Sequence, residues 1–562
     1  MGIADRIGLA TALGLALAGC LGPDLPAPTR DRPNILLVVA DDLGYSDLGS
    51  YGGEISTPNL DALARSGLRA TDFYVSSRGA PSRAMLLTGA DNHIAGFGNL
   101  PRRLAPNQEG HPGYEGRLNG RVVTVATLLR DAGYHTSMAG KWELGEDPES
   151  LPSARGFERS FALHDGAASH WDDMESAIPG RERARYTENG RNVSALPADY
   201  FSTEHFTDFI IDSIDAKRGD GRPFFAYLAY QAPHGPLAVP DDWRDRYADR
   251  YEKGYDAVRA ARLLRMKQKH LVKESVRPYP GIPTIPAWGD LSEDQKRAQA
   301  RKMELYAAMV ENLDFHLGRV LDHLREIGEY HETLIVVLSD NGAEPGDRGP
   351  AGMDARNREW YAKHFPDSDF ESWGRKGSFT EYGPAWAQVG MVPFRLFKGT
   401  HAEGGIRSPL IASGPGVARR GKVSHELMHV TDLTPTFLEL ANVSHPREYR
   451  GRSIAPLQGE SLVPVLAGEW RAGRRSDDWI GFELAGDRAI RRGPWKLVWM
   501  PPPFGLGKWR LYHLDRDPAE LYDRSGEQPE ERQALLALWE EYVRANGVVL
   551  PVSAQKSRPS AM

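Results

Sequence analysis

The chain has 562 residues, 41% of them hydrophobic, which is enough for one large domain with its own core and a smaller companion. Its formal charge of −7 is modest for that length, so there is no global basic field of the kind that holds nucleic acid, and any preference for anions has to be local. Cys20 is the sole cysteine, which excludes an internal disulfide and leaves no thiol for catalysis further along the chain.

The longest apolar run opens the sequence. Arg6 precedes an apolar stretch at residues 7–17, followed by Ala18-Gly19-Cys20, the layout of an export signal too short to persist as a membrane span. Residues 1–20 resemble a bacterial lipoprotein signal, with Cys20 lipidated as the mature N-terminus; a plain signal peptide ending in cysteine is the alternative. The expectation is an exported protein on the periplasmic side or cell surface, anchored to the membrane through Cys20. Residues 21–32, with Pro23, Pro26 and Pro28, form a short extended tether.

Residues 34–40, Asn-Ile-Leu-Leu-Val-Val-Ala, suit a central strand covered on both faces. Ligands collect beyond the carboxyl ends of such strands, where Asp41 and Asp42 stand. Adjacent carboxylates repel unless a cation neutralises them, so a divalent metal is one reading and a surface turn the other. Thr57-Pro58 opens a helix reaching Ser66. A β-rich run at 68–75 leads through a Pro81-Ser82-Arg83 turn to a helix opening at 84–88. A helix start offers free N–H groups and Arg83 a forked cation, which together suit an anionic ester; an ordinary turn is the alternative.

A helix at 124–132 and a strand at 135–139 lead to Gly140-Lys141-Trp142-Glu143, where Lys141 is either solvated or a site cation. An apolar strand at 223–230 ends at Ala232-Pro233-His234, whose histidine is a surface residue or an acid–base group. The charges of the polar stretch 241–294 read as a solvated face. Apolar residues at helical spacing over 299–326, Met303 and Met309 among them, give a core helix. Residues 333–339 repeat the plan of 34–40 and end at Asp340-Asn341-Gly342. The loop at 343–392 carries Trp360, Tyr361, Trp373, Tyr382 and Trp386, which either line a pocket or pack on one another. After a helix at 433–441 and a boundary near 446–459 come four short antiparallel strands, 479–484, 487–491, 495–500 and 509–514, and a last helix at 529–546.

Asp41-Asp42, Pro81-Ser82-Arg83 with Leu87-Thr88-Gly89, Gly140-Lys141-Trp142, Ala232-Pro233-His234, Ser339-Asp340-Asn341-Gly342, and Lys398-Gly399 with Glu403-Gly404-Gly405 occur in that order. The set resembles the sulfatase family of the alkaline phosphatase superfamily, above all its bacterial formylglycine-type arylsulfatases. The resemblance implies an α/β fold, a large mixed sheet sandwiched by helices, over residues 33–455. It also implies a smaller α+β domain over 456–553, leaving 554–562 as a tail. It further implies one divalent cation, expected to be calcium, on Asp41, Asp42, Asp340 and Asn341, and the oxygen ligands suit a hard cation. Arg83, Lys141 and Lys398 would act on a small-molecule or saccharide sulfate ester, His234 would protonate the leaving oxygen, and residues 241–294 would shape the substrate mouth.

Two positions depart from the family. Where a cysteine or serine is oxidised to formylglycine, the group that attacks sulfur, this chain has Gly79, from which formylglycine cannot be made. Where a supporting histidine is expected, it has Glu143. The expectation is therefore direct displacement on a sulfate ester. A water on the metal would occupy the space at Gly79, with Glu143 as general base and His234 as acid. The alternatives are a catalytically inactive lipoprotein that binds sulfated ligands, and a phosphate ester hydrolase on the same scaffold. Ser76, Ser77 and Ser82 are candidate substitute nucleophiles, and their spacing to Arg83 favours none of them.

Overall fold

The computed structural model describes residues 31–346, 355–418, 421–469 and 477–552. The expected signal peptide, the lipidated Cys20, nearly all of the tether and the 554–562 tail lie outside the described residues. Among the described residues no helix is long and apolar enough to cross a membrane.

The continuous apolar runs become the middle of an eleven-stranded mixed sheet. In chain order its strands are β1 (Asn34–Ala40), β2 (Leu68–Tyr74), β3 (His135–Lys141), β4 (Arg159–Leu163), β5 (Tyr186–Glu188), β6 (Arg191–Val193), β7 (Phe224–Ala229), β8 (Thr333–Ser339), β9 (Arg407–Ser413), β10 (Lys422–Ser424) and β11 (Met428–His429). They lie side by side as β10-β2-β9-β8-β1-β7-β3-β4-β5-β6, with β11 also on β2. The central five, β8-β1-β7-β3-β4, are parallel, so their carboxyl ends share one edge. β9 and β5 run antiparallel to them on either side, and β2 and β6 run antiparallel to β9 and β5 in turn. β1 and β8 pair from Asn34↔Thr333 to Ala40↔Ser339, so Asp41-Asp42 and Asp340-Asn341 leave the sheet together.

Alternate residues of β1 feed two cores. Leu36, Val38 and Ala40 face the helix Glu293–Glu326, whose Met303, Met309 and Leu313 are buried there. Ile35, Leu37 and Val39 face the helices Gly79–Thr88 and Leu433–Leu440. Each of the Leu, Ile and Val side chains contributes about 1.5–3 kcal/mol by leaving water. The long helix starts at Glu293 rather than 299, because Ser292 and Gln295 form a reciprocal capping box that extends it by two turns.

Beyond the short hairpin β12 (Glu448–Tyr449) and β13 (Arg452–Ser453), the chain forms an antiparallel sheet of β14 (Trp479–Leu484), β15 (Asp487–Arg492), β16 (Trp495–Trp499) and β17 (Arg510–His513). The helix Pro529–Asn546 covers one face, setting Leu535, Trp539 and Tyr542 on Ile490, Leu497 and Leu511. The other face packs Phe482, Val498 and Tyr512 against Tyr74, Leu396 and Ile406 of the main domain.

Two local expectations are corrected, and one left open is decided. The Pro81-Ser82-Arg83 segment is no turn: the helix already begins at Gly79, and Pro81 sits in its first turn, where a missing N–H costs nothing. Residues 241–294 present more than a solvated face, since the helix Gly254–Gln268 inserts Arg262 into the main domain. Its fully buried guanidinium bonds Glu54 at 2.7 and 2.8 Å and also Asp47. The aromatics of the 343–392 loop pack inward: Tyr382 and Trp386 are buried, Tyr382 stacks on Tyr306 at 4.3 Å, and Trp360 and Tyr361 meet Phe365 and Phe379.

Candidate active site

Four parallel strand ends deliver the site. Asp41 and Asp42 follow β1 and Asp340 and Asn341 follow β8; His234 lies five residues past β7, and Lys141 is the last residue of β3. Asp42 adopts a left-handed backbone, φ 66°, and its N–H donates to Asp340 Oδ1 at 3.2 Å. A non-glycine residue in that region is uncommon, and such backbones gather at functional sites. Lys398 enters from the loop before β9, its N–H bonded to Ala343 O and that of Gly399 to Ser77 O.

The ionic contacts are close. Lys141 Nζ donates to Asp41 Oδ2 at 2.6 Å, and Lys398 Nζ to Asp42 Oδ2 at 2.7 Å with Glu344 Oε2 at 2.8 Å. Asn341 Nδ2 donates to Asp42 Oδ1 at 2.5 Å. Arg83 is fully buried and spends its donors inside the protein: Nε and Nη2 on Asp340 Oδ2, and Nη1 on Lys141 O and Tyr227 Oη. The expectation that it grips the ester is thereby corrected. Because the helix begins at Gly79, Arg83 lies a full turn inside it and holds Asp340 and the end of β3 in place.

Among the described residues, Asp41, Asp42, Asp340, Glu143 and Glu344 meet the cations Arg83, Lys141 and Lys398, a shortfall of two positive charges with the His234 imidazole, 3.5 Å from Asp42, counted as neutral. Burial pushes Asp41 up to about 7 and Asp42 up to about 6, with Lys141 and Lys398 pulling the other way. Asp340 stays below the usual carboxylate range because Arg83 and both lysines outweigh its burial. Oxygens of Asp41, Asp42 and Asp340 lie within 4.8 Å of one another, and Asp41 Oδ1 and Asn341 Oδ1 are buried without a hydrogen-bond partner. Unsatisfied hard oxygen donors and a deficit of two charges fit one divalent cation. The neighbouring group of Asp42, His234 and Glu344 already encloses the Lys398 ammonium. His234 donates from Nδ1 to Gly235 O at 2.6 Å, places Nε2 3.5 Å from Asp42, and is pushed below the ordinary imidazole range by burial and then by Lys398.

At Gly79 the side-chain space is contested. A Cβ there would stand 2.6 Å from Asp340 Oδ2 and 3.2 Å from Glu143 Oε2. Glu143, itself left-handed at φ 58°, sends Oε2 to within 3.5 Å of Lys141 Nζ. On its other side, a Cβ on Gly166 would come within 2.7 Å of Glu143 Oε1. The carboxylate thus lies between two glycines. The three serines are not in this space: Ser82 Oγ bonds the backbone of Ser76, Ser77 Oγ meets the buried His401 at 3.4 Å, and all three are buried.

The cleft over this centre holds about 690 Å³. Gly79, Lys141, Glu143, His234, Glu344 and Lys398 form its floor; residues from 97–117, 145–147 and 164–181 form its walls. Residues 241–294 contribute nothing to its lining, so the expectation that they shape the mouth is corrected. Glu344, Gly166 and the walls are the parts that sequence reasoning missed. Their signal was positional, since Gly166 follows β4 and Glu344 follows β8 at the same carboxyl edge.

The sulfatase family profile matches residues 33–443, and that of the N-sulphoglucosamine sulphohydrolase C-terminal region matches 396–544. An arylsulfatase of Klebsiella aerogenes is 39% identical over 475 residues, 84% of this chain and 99% of the relative. Among solved structures, Ps i-CgsB in complex with k-i-k-neocarrahexaose has a TM-score of 0.65 at 23% identity, covering 93% of this chain and 95% of that one. Another, solved with its substrate D-glucosamine-2-N,6-O-disulfate, has a TM-score of 0.59 at 22% identity, covering 92% and 99%. At those identities the structures show the shared fold, a mixed sheet between helices with a small antiparallel sheet behind it. The sequence matches go further: the chain belongs to the sulfatase family of sulfuric ester hydrolases.

Proposed function

We propose that the chain hydrolyses sulfate esters of small molecules or saccharides by direct attack of water, with Glu143 as the base. The observation that carries this reading is the Glu143 carboxylate, which reaches into the space that Gly79 leaves open and lies between Gly79 and Gly166 beside Lys141. An ester anion on the cleft floor meets Lys141 and Lys398, whose ammonium groups keep donors beyond those given to Asp41, Asp42 and Glu344. Glu143 Oε2 takes a proton from a water in the open space as the water oxygen bonds to sulfur. The bond from sulfur to the leaving oxygen breaks, and that oxygen takes a proton from His234 in its protonated form, so that sulfate and an alcohol or phenol are released. A phenol makes least demand on His234, because it departs readily as phenolate. Asp41, Asp42, Asp340 and Asn341 would hold the divalent cation, calcium by its oxygen-only ligand set. When bound, it supplies Lewis-acid stabilisation of charge on the sulfate oxygens. The N-terminal sequence supports export and a lipid anchor at Cys20.

The test is turnover of 4-nitrophenyl sulfate and an aryl phosphate diester by the full chain with calcium in ¹⁸O-labelled water. Label in the released sulfate, not in the phenol, is the expected result for attack at sulfur. Glu143→Gln should lower kcat by about 10²–10⁴-fold with the ligand Kd little changed. Full activity in that variant would remove Glu143 as the base. Saturable binding without turnover would replace hydrolysis with the reading of a binding protein, and faster diester cleavage would favour the phosphate ester reading.

A further inference from the structure

The cleft wall carries five arginines, and they differ in what neutralises them. Arg117 pairs with Asp147 at 2.7 Å, and Arg181 with Asp165 at 2.5 Å and Glu146 at 2.7 Å. Arg103 has a partner too, and Arg102 at the rim bonds Pro179 O at 3.1 Å. Arg78 is the exception: half-buried in the wall, its guanidinium makes no hydrogen bond and no ion pair within 4 Å among the described residues, and the carboxylates of Glu344 and Asp487 feel it only at longer range. Its place is nevertheless well defined. It is the N-cap of the helix that begins at Gly79, with an extended backbone at φ −151° and ψ 156° and no side-chain cap. Gly399, next to Lys398, leaves room for the guanidinium, since a Cβ there would stand 2.7 Å from Nη2. The nearby carboxylate of Glu344 is already taken by Lys398 at 2.8 Å. An unpaired guanidinium therefore stands one residue from Gly79 and beside a floor lysine, partly withdrawn from water.

We propose that Arg78 is a subsite for a second oxyanion, and that the substrates are polyanionic saccharides bearing a further sulfate or a carboxylate close to the scissile ester. The planar fork of arginine matches either group with two parallel hydrogen bonds, which a compact ammonium does not. A monoanionic ester fills the floor and leaves Arg78 unmatched, whereas a dianion matches both. This inference rests on reading the floor as a sulfate-ester site.

The experiment is calorimetric titration of the full chain with calcium at one ionic strength, using three saccharides: one with a single O-sulfate, the same with a second sulfate, and the same joined to a uronate. The parent should bind at least one dianion about tenfold more tightly than the monoanion, as expected for one hydrogen-bonded charge pair. Which dianion gains identifies the second group. Arg78→Gln should reduce that advantage to about twofold while leaving monoanion affinity unchanged, and Arg78→Lys should keep part of it. Because Arg78 has no side-chain partner to lose, both variants should melt with the parent. An unchanged ratio in Arg78→Gln, an equal loss for mono- and dianion, or a parent that binds all three alike or none of them overturns the subsite. Binding is read independently of turnover, so an Arg78-dependent ratio in a chain that hydrolyses nothing would keep the subsite and end the hydrolytic reading.

Discussion

Two regions of this molecule bury clusters of charged side chains, and they are balanced differently. In the seam between the main domain and the C-terminal sheet, Asp72 pairs with Arg407 and with Arg491. Glu403 accepts from Tyr74 Oη at 2.6 Å, Lys496 at 2.7 Å and Arg407 at 3.1 Å, and Glu520 meets Lys496 and Arg395. Burial would raise Asp72 and Glu403, but these cations outweigh it and hold both below the ordinary carboxylate range. In the site the same desolvation is not outweighed, Asp41 and Asp42 rise, and oxygens of Asp41 and Asn341 are left without partners. The seam has unpartnered buried atoms of its own, Glu520 Oε1 and Arg395 Nη2, but its three carboxylates meet four cations, whereas the carboxylates of the site outnumber theirs. A cluster short of cations is the one built around something that binds. Glu403 belongs to a sequence motif shared with the site residues, yet its carboxylate serves the seam.

The largest effect should come from breaking the joint. Lys496 is fully buried between Glu403 and Glu520, so Lys496→Ala leaves buried carboxylates short of a cation. Removing one partner of such a pair costs about 3–5 kcal/mol, which denaturant unfolding should register as a lowered midpoint. A variant as stable as the parent would show the seam to be dispensable.

A second link across the seam gives a pH signature. His93 sits between Asp91 and Glu483, with both ring nitrogens at 2.8 Å from a carboxylate oxygen. Burial works against its charge, but those two partners win and raise it to about 9. A histidine raised in the folded state contributes stability that is fully present below its unfolded value near 6.5 and is lost as pH climbs through about 9. The shift corresponds to about 3 kcal/mol. Thermal melting from pH 6 to pH 10 should show a decline that His93→Gln lacks, and equal slopes in both would remove His93 as its source.

The site should respond to the opposite manipulation, addition rather than removal. Calcium at about a hundred times its Kd stabilises the parent by about 2.7 kcal/mol if it binds only the folded chain. Asp340→Asn should abolish that rise in melting temperature, while Lys496→Ala should keep it. A parent indifferent to calcium, magnesium and manganese alike would contradict the cation-deficit account.

How far these regions could be read from the sequence follows from range. Residues 34–40 and 333–339 were legible because strands buried on both faces are unbroken apolar runs, and the strand-end rule then singled out Asp41, Asp42, Asp340, Asn341 and His234. Arg83 was legible as a site residue but not in its direction, which depends on the helix starting at Gly79. The burial of Arg262 was hidden, because a basic, polar stretch gives no sign that Asp47 and Glu54 wait two hundred residues earlier. Hidden too was the pairing of Glu143 with Gly166, which arises only when β3 and β4 pair as Lys141↔Leu163.

That pairing gives the smallest effect and the sharpest discrimination between the cation half of the site and its water half. Gly166→Ala puts a methyl 2.7 Å from Glu143 Oε1, and the carboxylate must give way toward Gly79 or toward solvent. It touches none of the proposed metal ligands, so any rise in melting temperature that calcium gives the parent should be retained. If Glu143 is the base, kcat for 4-nitrophenyl sulfate should fall by about tenfold, because a displaced base loses its alignment with the water, while Kd for the sulfate ester stays within about twofold. A matching loss of affinity would mean that Glu143 organises the ester through Lys141 instead. No change in either would mean that the two glycines merely accommodate a carboxylate with no part in the chemistry.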